Sequence, residues 1–389
     1  MDVRAIILIG ARPDGAPPEA AKAVAIGGVP AGLLDILGQP LVHRVADRLK
    51  RYGVEQIAVI SDTVAAAQRY VREAQRPDLV WTSAVGNELW RTAAHTFSEF
   101  AHAGAEIVLV VRLGPYVEID VDDFVQFHID QRSRVTAACD HDGPLGFFAV
   151  SASRRNDAAF LFRHALEQSR MPLCDYFIRG YSNRLETAAD LRQLTLDSLL
   201  QRTGIRPAGR EIRPGVWAGP GARIHKRARV LAPAFIGARA KVGAAAVITR
   251  GSSVEHHADV DCGTVVEGTT VLPFTYVGAG LDLTQSVVGM RKVFNLSRNV
   301  EVEITDPKLV GELPRQAPVR AAMSAAALAA YVPRQFLRGL FASKTRQQQL
   351  RDVPSAVQAV PSALHPPQAK QSEKPEFSNL AVARRYGNE

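Results

Sequence analysis

From residue 222 onward one period governs the chain. Ile224, Val230, Ile236, Val242, Ile248, Val254, Val260 and Val266 recur every six residues, and two places before each stands Ala222, Ala228, Ala234, Ala240, Ala246, Ser252, Ala258 or Thr264. Neither an α-helix nor an ordinary strand has period six. A parallel β-helix of hexapeptide repeats does, because each triangular coil stacks one aliphatic row inside and needs a small residue near every corner. Thr270 and Leu272 extend the pattern to a ninth rung, which predicts three coils of three hexapeptides. Such helices wind left-handed, against the usual right-handed crossover preference.

Residues 1–205 follow different rules. Ala5–Ile9, Gln56–Ile60, Glu106–Val111 and Val135–Ala138 are continuous apolar or β-branched runs, as in strands covered on both faces. Between the first two, Leu41, Val42, Val45, Ala46 and Leu49 share one helical face, and Gly53 supplies a stop. The alternation predicts an α/β, doubly wound, largely parallel sheet whose working edge is at the carboxyl ends of the strands. The connection from Gly10 to about Pro40 is long, as functional loops are.

The chain of 389 residues carries a net charge of +8, and the excess is local. Between Gly311 and Arg351 seven basic residues face only Glu312. A nucleic-acid binder would spread its basic residues over a folded face, so that function is not expected. Phe336, Leu337, Leu340 and Phe341 predict a short basic amphipathic helix that caps the repeats or meets a partner. Peripheral membrane contact is the weaker expectation, because four apolar side chains give marginal affinity. Residues 352–389 have the composition of a disordered tail. Three scattered cysteines and no apolar run long enough to span a bilayer give a cytoplasmic expectation. The divisions are thus 1–205 (α/β), 206–310 (β-helix), 311–351 (basic helical segment) and 352–389 (tail). Closing the repeats is the role expected of Val300–Ile304.

Several stretches resemble the sugar-1-phosphate nucleotidyltransferases, nearest the mannose-1-phosphate guanylyltransferase type. Arg4–Gly10 is similar to the family's opening strand, Leu33–Val42 to its "PLL-V-GKPLL" segment, and Gly180-Tyr181 with Thr187 to its "GYW-DIGTP" segment; Asp261–Glu267 and Leu272–Leu283 are similar to parts of its repeat domain. The resemblance covers about residues 4–310. It implies a GT-A-like nucleotidyltransferase domain followed by a left-handed β-helix, and a reaction in which a sugar phosphate displaces pyrophosphate from a nucleoside triphosphate with Mg²⁺. That chemistry depends on neutralising crowded phosphates and holding the reactants in line.

The motifs that the family uses for this are altered here. Its "GG-GTR" loop reads Gly10-Ala-Arg-Pro-Asp-Gly15, with Pro13 unable to donate to a phosphate. The residual nucleotide loop is Gly10, Ala11 and Arg12. The "PKP" lysine is replaced within Pro30-Ala-Gly32, the metal-binding "GD" aligns with Leu113-Gly114, and Arg184 stands where the second metal-binding Asp belongs. The "GTAG" segment reads Arg91-Thr-Ala-Ala94, and the sugar-recognising stretch between Val135 and Ser151, with its "EKP" motif, is shortened. Losing both metal carboxylates is what loss of Mg²⁺ would produce, so no cofactor is expected.

The resemblance therefore implies a catalytically degenerate homologue, a regulatory, sensor or assembly subunit in polysaccharide precursor synthesis. It would bind a nucleotide or NDP-sugar and form a homo-oligomer or pair with an active homologue. The enzyme alternative is an active Mg²⁺-dependent nucleotidyltransferase, with Arg12, Glu118 and Asp120 as candidate catalytic residues. A second alternative is hexapeptide acyltransfer, with His225, His256 or His257 as general base. Against it, the repeat has no inserted loop between Ile224 and Val266, and exposed rung positions account for the histidines. Asp120, Asp122 and Asp123 invite a metal, but they precede a helical pattern where carboxylates serve as caps. His128, at the end of that pattern, is expected to pack.

Overall fold

The computed structural model describes residues 1–10, 25–26, 29–62, 68–84, 88–152 and 174–313. Ala11, Arg12, the basic segment beyond residue 313 and the tail lie outside the described residues.

Seven strands form the N-terminal sheet: β1 (Val3–Ile9), β2 (Ile57–Asp62), β3 (Val80–Ala84), β4 (Ile107–Arg112), β5 (Val135–Asp140), β6 (Gly143–Ser151) and β7 (Cys174–Phe177). Their spatial order is β7-β5-β6-β4-β1-β2-β3, and only β6 runs antiparallel to its neighbours. In β1 the residues Ala5, Ile7 and Ile9 enter one core while Ile6 and Leu8 enter another, so both sheet faces are covered. This is why the strand reads as an unbroken apolar run rather than an alternation.

Among the described residues, five α-helices accompany the sheet: α1 (Leu41–Arg51), α2 (Gln68–Ala74), α3 (Leu89–His102), α4 (Val121–Asp130) and α5 (Ala188–Leu199). Helix α1 follows Pro40, and its buried Leu41, Val42, Ala46 and Leu49 face one core. Helix α3 buries Leu89, Trp90, Ala93 and Phe97 in the other. Thr187 and Asp190 close α5 with a reciprocal capping box.

After residue 215 the backbone becomes short parallel strands in three stacked sheets, compatible with a β-helix. The first sheet stacks Val216–Ala218, Ala234–Ile236, Ser252–Val254, Thr270–Val271 and Ser286–Gly289. The other two each hold four parallel strands, so the stack has four coils and begins a fifth, one more than the three expected. The repeat also changes length. Ile236 pairs with Val254 at an offset of 18 residues, whereas Val254 pairs with Val271 at 17.

The missing residue falls between Val266 and Val271, where Gly268 adopts φ +55°. Consequently Val271, not Leu272, enters the stack interior, and Leu272 turns outward into the core shared with the N-terminal sheet. Arg192 of α5 is buried at this shortened turn and donates to the Gly268 and Arg250 carbonyls at 2.6 and 3.0 Å. Burial pulls its pKa down to about 10.

The closing strand differs from expectation as well. Val300–Glu303 does not cover the interior; it pairs antiparallel with Lys292–Asn295 as the exposed outer strand of a hairpin. Closure comes from Val310–Glu312, which pairs antiparallel with Thr275–Val277 and buries Val310 in the interior row. The Val-Glu-Val-Glu alternation fits a half-exposed hairpin strand better than an interior rung.

The turn Asp35–Pro40 joins the two regions. Ile36 N donates to Gln39 O and Leu41 N to Leu34 O, which projects Leu37 and Gly38 from the α/β core. Gly38 has φ +84°, and a Cβ there would lie 2.7 Å from the Phe235 ring. Only glycine fits both the left-handed backbone and that approach.

Candidate functional site

Since β1, β2, β4 and β5 are parallel, their carboxyl ends Ile9-Gly10, Asp62, Arg112 and Asp140 share one edge of the sheet, where ligands of open α/β sheets bind. Gly10 is buried with φ +152°, and a Cβ there would be 3.0 Å from Asp62. Its loop partners Ala11 and Arg12 lie outside the described residues. Leu113 is apolar and buried; its N–H donates to Leu8 O, and its Cβ lies 2.9 Å from where a Gly32 side chain would begin. No carboxylate occupies this position.

The other candidates are held by the fold. The Glu118 carboxylate accepts from the Tyr116 hydroxyl at 2.7 Å and from Gly204 N–H, tying the loop after β4 to the exit of α5. Asp120 caps α4 by accepting from Asp122 N and Asp123 N at 3.1 and 3.2 Å, as its position predicts. Asp123 accepts from the Tyr176 hydroxyl. His128 is buried between the Thr136 and Ser151 hydroxyls, and burial lowers its pKa, so it packs as a neutral ring. Replacing Asp120 with alanine should cost about 1 kcal/mol by urea denaturation, the usual loss of a cap.

Arg184 shapes the chemistry of the edge. Its guanidinium forms an ion pair with Asp140 at the end of β5, approaches Asp142 at 3.9 Å and donates to the Gly143 carbonyl at 3.4 Å. Asp140 also accepts from Asp142 N at 2.9 Å. One carboxylate at the strand ends is thereby neutralised by an internal cation. The hairpin joining β5 to β6 turns within Asp140–Gly143, leaving no inserted segment there.

A second polar group lies between the sheet domain and the stack, assembled from residues far apart in the chain. Asp35 is 2% exposed and accepts from His256 Nδ1. Glu255 is fully buried and takes the N–H groups of Leu37 and Gly38 at 3.2 and 2.8 Å. Burial, reinforced by the negative charge of Asp35, pushes Glu255 up to about 7. For His256, burial opposes the charged form, but the Asp35 and Glu255 carboxylates outweigh it and raise the pKa.

Of the three repeat-region histidines, His225 is exposed, while His256 and His257 are half-buried at this junction. His256 is thus a bonded partner of Asp35 rather than an exposed rung residue. Glu255 had a readable signal: Gly219 and Gly237 stand at its position in the preceding coils, and a charge replaces them. Above the pair opens a cavity of ≈ 480 Å³ lined by residues of both regions.

No protein-family model and no curated protein matches this chain. Among the described residues there is no group of three or more His, Cys, Asp or Glu placed to hold a metal ion, and no helix is long and apolar enough to cross a membrane.

Proposed function

We propose that this chain is a sugar-1-phosphate nucleotidyltransferase-like protein with a GT-A-like domain and a left-handed β-helix, and that it binds a nucleotide or NDP-sugar without turning it over. It serves as a regulatory, sensor or assembly subunit in polysaccharide precursor synthesis, as a homo-oligomer or beside an active homologue in the cytoplasm. The observation that carries this is the Arg184–Asp140 ion pair at the carboxyl edge of the sheet. Nucleotidyl transfer needs cations brought by the substrate, and carboxylates free to hold them. Arg184 takes up that carboxylate instead, so the carboxylate is not free for Mg²⁺. The N–H groups of its guanidinium can donate to a diphosphate but cannot polarise a leaving pyrophosphate as bound Mg²⁺ does.

Thermal melting of the full chain tests the binding half. GDP-mannose should raise the melting temperature without added Mg²⁺, because a ligand that binds only the folded state stabilises it. Replacing Arg184 with alanine should remove most of that increase. A shift that requires Mg²⁺, or one that is unchanged in Arg184→Ala, would count against the proposal.

A further inference from the structure

The junction cavity of ≈ 480 Å³ has two chemically different walls. On the sheet-domain side, Glu73 of α2 and His43 of α1 line it; on the stack side, Arg239 and His256 do. Asp35 and His256 pair with one another, so their charges cancel. Arg239 and Glu73 are the remaining charged side chains of the lining, Glu73 acting on His256 through its charge alone. Among the described residues, Arg239 makes its one polar approach to the His257 ring, at 3.4 Å, and Glu73 has no hydrogen bond or ion pair. Among the described residues, His256 uses Nδ1 for Asp35 and has no partner at Nε2, and His43 uses Nε2 for the Ala74 carbonyl at 2.7 Å and has none at Nδ1. Leu33, Pro40, Tyr70, Pro220 and Ala238 give the lining its apolar part.

Opposite charges contributed by the two regions, together with an apolar part of the lining, define a complementary ligand. A purely anionic molecule would meet Glu73, and a purely cationic one would meet Arg239. Like-charge contacts of this kind discriminate against the wrong ligand. We infer that the junction cavity is a binding site for a small zwitterion, whose carboxylate or phosphate lies against Arg239 and His256 and whose ammonium lies against Glu73. An amino acid and an amino-sugar phosphate share this chemistry. Because the walls come from two regions of the chain, an occupant would bridge them. The site is separate from the Arg184 edge and does not depend on the function proposed above.

Isothermal titration of the full chain separates the sources. The zwitterionic probes are l-leucine and glucosamine 6-phosphate; glucose 6-phosphate and glucosamine supply the anion or the cation alone. One zwitterion should bind, and the single-charge probes should bind at least about tenfold more weakly, the loss expected for one charge-assisted contact. Arg239→Gln and Glu73→Gln, both at exposed positions, should each weaken the zwitterion by a similar factor while leaving the melting temperature of the free protein unchanged. The inference is overturned if neither zwitterion binds, if glucose 6-phosphate or glucosamine binds equally well, or if either variant binds like the parent.

Discussion

Replacing Phe235 with alanine should destabilise the protein by about 3 to 5 kcal/mol, the range for removing a buried aromatic side chain. Phe235 is fully buried, yet it is not part of the stack interior; it belongs to the core that also holds Leu37, Leu272 and Val287. Its ring fills the space above Gly38, so truncation opens a cavity where two regions meet rather than within one. In urea, loss of this contact should separate the sheet domain and the stack into two transitions, with the stack melting last because its interior row is untouched. Filling the space from the other side should also fail. Gly38→Ala places a Cβ 2.7 Å from the ring at a backbone angle that L-residues disfavour. A single unshifted transition in Phe235→Ala would show that the junction contributes little.

The second large effect is a dependence of stability on pH. Glu255 and His256 both have folded-state pKa values above their ordinary ones, 4.5 and 6.5 respectively. The folded protein therefore holds more protons than the unfolded chain across the interval between. Stability from Glu255 is complete below about 4.5 and is lost as pH rises through about 7; that from His256 is lost as pH rises above 6.5. Raising a pKa by one on folding is worth about 1.4 kcal/mol, so Glu255 alone gives a fall on the order of a few kcal/mol between pH 5 and pH 8, and His256 adds to it in the same direction.

The groups facing this pair are Asp35 and Arg44, with Glu73 acting on His256. Asp35 opposes ionisation of Glu255 and supports that of His256. Glu255→Gln removes one titration while leaving the other, so its stability should fall less steeply between pH 5 and pH 7 in urea titrations. An unchanged slope would place the proton uptake elsewhere.

How much of this the sequence reveals depends on the distance between the residues involved. The six-residue period is a local signal, and its aliphatic positions from Val230 to Val266 all lie in the interior row. It fails at Gly268 because Val271 and Leu272 are both aliphatic, so a one-residue loss leaves the pattern unbroken to the eye while exchanging inside for outside. The β1, β2, β4 and β5 runs are similarly legible, since strands buried on both faces must be apolar throughout.

The junction is another matter. Asp35 and His256 are 221 residues apart in sequence, and neither has a local reason to be charged. The turn that carries Asp35 and Gly38 reads as part of the nucleotidyltransferase-like segment, yet it docks the sheet domain on the stack. Glu118 and Asp120 stand as catalytic candidates by type and position, but the fold uses the first to hold Gly204 and the second to cap α4.

The claim that the strand-end chemistry is silent can be tested by one measurement: pyrophosphate release by the purified full chain, with GTP, ATP, UTP or dTTP, mannose 1-phosphate or glucose 1-phosphate, and Mg²⁺. The Arg184–Asp140 pair and the buried Leu113 predict no release above the protein-free rate with any combination. Release that EDTA abolishes and that Asp120→Ala also removes would contradict the account, and would make Asp120 a metal ligand rather than a helix cap.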